Sequence, residues 1–106
     1  MYSVVGITFR PDPVQAFYFR IQSGDVGYLQ REPSNPYDPD AVRVLALDST
    51  VNKFVFIGYL PKGMSKVFKK EYATIKFIEN RRFEILDEYD NNPKGEIINA
   101  NQTESV

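Results

Sequence analysis

Asn35, Tyr37, Asp38 and Asp40 are the residues whose types and spacing first suggest chemistry. They lie in Arg31-Glu32-Pro33-Ser34-Asn35-Pro36-Tyr37-Asp38-Pro39-Asp40-Ala41-Val42-Arg43-Val44, a polar turn feeding an apolar run. Its prolines each hold φ at about −65° and push the preceding residue out of the helical region. Asn and Asp side chains in such a turn bond nearby backbone amides. Asp38 and Asp40 form a carboxylate pair at i, i+2. Acid–base catalysis would need them to converge in a water-poor site, which a turn this polar does not offer. Tyr37 is the odd member, an aromatic ring among turn residues. It either covers an edge of the core or makes the turn a binding loop held by the scaffold.

The composition excludes much of the remaining chemistry. There is no Cys and no His among the 106 residues, so disulfides, thiolate nucleophiles, the usual zinc sites and His-based triads are absent. No glycine pattern cradles a phosphate, and no EF-hand spacing occurs. The expectation is a protein that is not an enzyme and needs no cofactor or metal. No run approaches the roughly 20 apolar residues that span a bilayer, and Met1-Tyr2-Ser3-Val4 leads directly into an expected strand, so a cytoplasmic location is expected. The net charge of −1 argues against a protein that coats duplex DNA through bulk charge. The charge is unevenly spread: residues 62–82 carry about +5, and those from Phe83 onward about −5.

The elements that must position the turn are mostly short strands. Val4–Phe9 reads as the first, with Gly6 marking a bulge or a close approach. Gln15–Ile21 reads as the second, with Phe17, Phe19 and Ile21 on one face. Val26–Arg31 is the third and forms a hairpin with it across Ser23-Gly24-Asp25. Ala41–Leu47 is apolar enough to be central, and Phe54–Leu60 too apolar for a wetted face. Pro61 suits the first turn of a helix over about 61–72, with Met64, Val67, Phe68 and Tyr72 as its apolar face. Thr74–Ile78 and Arg82–Asp87 complete the set. The predicted fold is mainly β: a small OB-like or SH3-like β-barrel of six or seven strands with one capping helix. A single domain over 1–90 and a polar, flexible tail over 91–106 are expected.

Exposed aromatics beside basic residues offer a route to nucleic acid, since unpaired bases stack on such rings. Phe9, Tyr18, Tyr28, Tyr37 and Tyr59 are the candidates, although strand aromatics also serve as core or cross-strand pairs. Lys66, Lys69 and Lys70 fall outside the apolar face of the expected helix, where lysines are usually solvated.

In chain order, Val4-Val5-Gly6, Val26-Gly27-Tyr28-Leu29-Gln30-Arg31-Glu32-Pro33, Asn35 to Val44 and Ile57-Gly58-Tyr59-Leu60-Pro61-Lys62 resemble the HIRAN domain family over roughly residues 4–70. The block from Arg31 to Val44 is the most specific part. The resemblance implies a β-barrel that captures the 3′ end of single-stranded DNA, in repair, replication or recombination, with a helicase or nuclease as a possible partner protein. It implies that Asp38 meets the terminal 3′-hydroxyl and that Tyr37 and Phe9 hold the last bases. Lys62, Lys66 and Arg10 are the basic candidates for phosphates. The sequence departs from the family at Thr8, where an arginine is expected, and at Phe9, where a tyrosine is. A second reading keeps the fold without the DNA site, as a protein-interaction barrel. A hydrolase built on Asp38 and Asp40 is the third and weakest.

Overall fold

The computed structural model describes residues 1–92. Five antiparallel strands, β1 (Val26–Arg31), β2 (Val42–Asp48), β3 (Lys53–Tyr59), β4 (Tyr72–Glu79) and β5 (Arg82–Tyr89), form one sheet in the order β3-β2-β1-β4-β5. A single helix, α1 (Asp12–Arg20), precedes them. The chain is mainly β as expected, but the sheet is not closed into a barrel.

The first expected strand fails for a local reason. Gly6 takes a left-handed φ of 78°, and Ile7–Phe9 turns into a short 3-10 helix. What remains are two isolated bridges, Tyr2 with Phe83 on β5 and Val5 with Tyr59 on β3. The two outer strands are thus linked by one short segment, not by a continuous ladder. Gly58 makes this possible, because a Cβ there would run into the Val5 carbonyl oxygen.

The second expected strand is the helix. Val14, Phe17, Tyr18 and Ile21 follow the i, i+3, i+4, i+7 spacing and pack on the core. Phe19, which strand alternation would bury, is 64% exposed. Pro11 precedes the first turn and Asp12 sits in it, both suited to a helix start. The expected hairpin with β1 is therefore absent. β1 pairs with β2 and β4.

The expected helix over 61–72 is also absent. Gly63 at φ 90° interrupts it, leaving only a 3-10 turn at Ser65–Val67, and Tyr72 opens β4. Met64, Val67 and Phe68 still pack on the core, which explains their helix-like spacing. The segment is held by Arg31, whose Nε donates to the Lys70 carbonyl at 2.8 Å and whose Nη2 donates to that of Phe68 at 2.7 Å. Its guanidinium lies 4.1 Å from the Phe68 ring centre, within cation–π range.

β2 and β3 are nearly continuous apolar runs because both faces of the sheet are covered there. Val42, Val44, Ala46, Val55 and Ile57 join the main core with Leu29, Ile75, Phe77 and Phe83. Leu45, Phe56, Tyr28 and Phe54 form a second cluster, including a T-shaped Tyr28–Phe54 pair at 4.9 Å. Most of the expected tail, residues 93–106, lies outside the described residues.

Gly58→Ala tests the close approach that links the sheet edges. It is expected to lower the urea midpoint by the equivalent of about 1–3 kcal/mol, with little change in the slope.

Candidate nucleic-acid interface

Backbone amides and one carboxylate build the turn between β1 and β2. Asn35 Oδ1 accepts from the amides of Tyr37 at 2.8 Å and Asp38 at 3.0 Å. Asp38 Oδ1 accepts from the Asp40 amide at 2.9 Å, and the Asp38 carbonyl accepts from Ala41. These are local side-chain turns of the kind Asn and Asp favour. The second Asp38 carboxylate oxygen takes no hydrogen bond from the described residues. Tyr37 is 94% exposed, so it covers no core edge.

Glu32 organises the ground beneath the turn. Its Oε1 accepts from Asn35 Nδ2 at 2.7 Å and from the Tyr59 hydroxyl at 2.8 Å. Its Oε2 lies 3.5 Å from Arg43 Nε. Arg43 is buried in β2, with its guanidinium 4.2 Å from the Phe56 ring centre. Burial lowers the Arg43 pKa, and the Glu32 charge opposes that shift. Burial, then the hydrogen bond to Glu32, raises the pKa of the Tyr59 phenol. Sequence reasoning read Asn35 as a turn residue that bonds nearby amides, as it does, but missed Glu32 and Arg43 as parts of the site. The signal was a lone charged residue within the apolar run 41–47, which needs an acidic partner nearby.

A groove of about 660 Å³ opens beside the turn, lined by Val5, Phe9, Asn35, Tyr37, Asp38, Ala41, Tyr59, Leu60 and Lys62. The structure therefore brings together four of the six sequence candidates: Phe9, Tyr37, Asp38 and Lys62. Phe9 is 89% exposed, at the end of the 3-10 turn that replaced the first strand. Leu60 and Tyr59 are more enclosed and form the floor.

Arg10 does not line the groove. Its Nε donates to the Phe56 carbonyl at 3.1 Å, its guanidinium sits 4.0 Å from the Phe56 ring centre, and burial lowers its pKa. Lys66, on the Ser65–Val67 turn, is exposed but also outside the groove. Tyr18 and Tyr28 lie elsewhere, Tyr28 beside a separate trough of about 470 Å³ that holds none of the six candidates.

Two exposed rings, a carboxylate and a lysine around one apolar floor fit a ligand with flat faces, a hydroxyl donor and negative charge. The model of the HIRAN domain matches residues 1–92, most of the chain. The chain belongs to the HIRAN domain family. HIRAN domains are generally nucleic-acid-binding modules. No curated protein and no solved structure matches this HIRAN chain. No helix among its described residues is long and apolar enough to cross a membrane.

The raised Tyr59 pKa has a consequence for stability. A group whose folded pKa lies above its unfolded value, here 10.0, contributes stability that is present below that value and lost as pH rises through the folded one. Tyr59→Phe is expected to remove this alkaline loss, read as a flatter stability profile above about pH 10. Asn35→Ala should release the Tyr37 and Asp38 amides, lowering stability by about 1 kcal/mol and speeding their hydrogen exchange.

Proposed function

We propose that this HIRAN domain is a non-catalytic module that captures the 3′-hydroxyl end of single-stranded DNA. The observation that carries the reading is the clustering of Phe9, Tyr37, Asp38 and Lys62 around one groove. Two rings left almost wholly in water stabilise nothing in the fold, and they suit stacking on unpaired bases. Asp38 supplies an acceptor to a terminal hydroxyl and repels a phosphate in the same place. Lys62 meets a phosphate further back along the strand.

The departures at Thr8 and Phe9 narrow the phosphate contacts. Phe9 stacks but has no hydroxyl to donate, and Arg10 is committed to Phe56 and does not replace the missing arginine. Phosphate binding in the groove then rests mainly on Lys62, because the turn's own amides are taken up by Asn35, Asp38 and Glu32. Affinity is expected to be modest and strongly dependent on the end group. Capture of an end needs a few placed contacts and no broad basic surface, which fits the net charge of −1.

The test is binding of short oligonucleotides bearing a 3′-hydroxyl or a 3′-phosphate. The hydroxyl form is expected to bind more tightly, and Asp38→Ala to abolish the preference. Phe9→Ala and Tyr37→Ala should each weaken binding by about 1–3 kcal/mol. Lys62→Ala should lower the salt slope by about 0.7. Equal affinity for both end groups would overturn end capture.

A further inference from the structure

A second basic and aromatic surface lies at the far end of α1 from the groove. The helix starts three residues after Phe9 and runs nine residues, about 13 Å, to Arg20. There the Arg20 guanidinium lies 5.9 Å from the Phe17 ring centre. Arg81, from the β4–β5 turn, lies 5.4 Å from the ring centres of both Tyr18 and Phe19. The two rings meet edge-on at 5.2 Å. Arg82 follows, exposed and paired with Glu79 at 3.8 Å.

Two properties of Arg81 point beyond packing. Asn80 and Arg81 have φ values of 50° and 57°, consecutive left-handed residues in a two-residue hairpin turn. The second position of such a turn takes glycine without steric cost, and Asn-Gly is the favoured pair. An arginine stands there instead. Its Nε is buried out of a ligand's reach, and among the described residues no hydrogen bond or ion pair holds the half-buried side chain. The planar guanidinium presents paired donors that match phosphate oxygens, and Phe19 adds an exposed ring.

We propose that Arg20, Arg81 and Arg82, with Phe19, form a second contact for the single strand whose 3′ end occupies the groove, binding phosphates on its 5′ side. The proposal rests on the end-capture reading and extends it. The surface is basic and aromatic, as a single strand requires, and α1 connects it to the groove. Strand phosphates recur at about 3.4 Å in stacked geometry, so the length of α1 alone corresponds to about four nucleotides. A trinucleotide falls short of it and a dodecamer reaches it.

The test is fluorescence anisotropy with thymidine trimers and dodecamers, each with a 3′-hydroxyl or a 3′-phosphate, on the full chain. Arg81→Gly removes the guanidinium while giving the turn the residue its conformation favours. The double variant Arg20→Ala/Arg82→Ala removes the flanking charges without altering that turn. Both are expected to weaken dodecamer binding by about tenfold at low salt and to flatten its salt dependence by about 0.7 per lost phosphate contact. Trimer binding and the preference for the 3′-hydroxyl should be unchanged. Unchanged dodecamer affinity and salt slope would overturn the proposal, as would equal losses for both lengths, which would mark a change in the fold. If wild type ignores the end group while the variants still flatten the dodecamer slope, end capture fails and the arginine contact stands.

Discussion

One carboxylate ties the binding turn to the sheet. Glu32 accepts from Asn35 and Tyr59 and lies beside the buried Arg43. Each partner would be costly alone: Arg43 as a charge inside β2, Tyr59 as a half-buried hydroxyl. Together they fix Glu32, and Glu32 fixes the amide of Asn35. With its Nδ2 held by Glu32, Asn35 turns its Oδ1 toward the amides of Tyr37 and Asp38. The orientation of the exposed residues is therefore set by an ion pair beneath them.

The same logic of anchoring recurs in the other segments around the groove. Phe9 comes from the N-terminal stretch, held by the Val5–Tyr59 bridge that Gly58 permits. Lys62 comes from the loop after β3, whose later part Arg31 fastens through the Phe68 and Lys70 carbonyls. Arg10 holds the stretch after Phe9 against Phe56. Three segments distant in sequence thus meet at one groove, each fixed by a contact that uses neither exposed ring. Such a site keeps its exposed rings free, because the fold does not spend them on packing.

This division explains what could be read in advance. The strands from Val26 onward followed from apolar runs with turn signals between them, and the turn residues were legible because Asn, Asp and Pro act locally. The first part of the chain was not. Phe17, Phe19 and Ile21 satisfy a period of two as readily as Val14, Phe17, Tyr18 and Ile21 satisfy a helix, and Pro11 with Asp12 was the overlooked arbiter. In 61–72 the apolar spacing was real, but it belonged to a loop whose Met64, Val67 and Phe68 reach the core without a helix. Closure into a barrel depended on the first strand continuing past Gly6, and only a left-handed glycine reveals that it does not. Four of the six candidate residues share the groove, whereas Arg10 is turned inward by Phe56, a partner 46 residues away that no local pattern could indicate.

The inward turn of Arg10 bears on how charge serves the proposed ligand. Arg10 and Arg43 both lie against Phe56, near a single Glu32 carboxylate, so two of the arginines nearest the groove stabilise the fold. That leaves the groove with apolar surface, one lysine and the Asp38 carboxylate, a poor attractor for a continuous polyanion. A strand entering side-on would bring phosphate against Asp38 and gain little in return. A strand entering end-first brings its one hydroxyl to that carboxylate and keeps its phosphates away from it. Under the proposed reading, the scarcity of positive charge in the groove is thus part of how an end is told from an interior, and stronger phosphate contacts are better placed outside it.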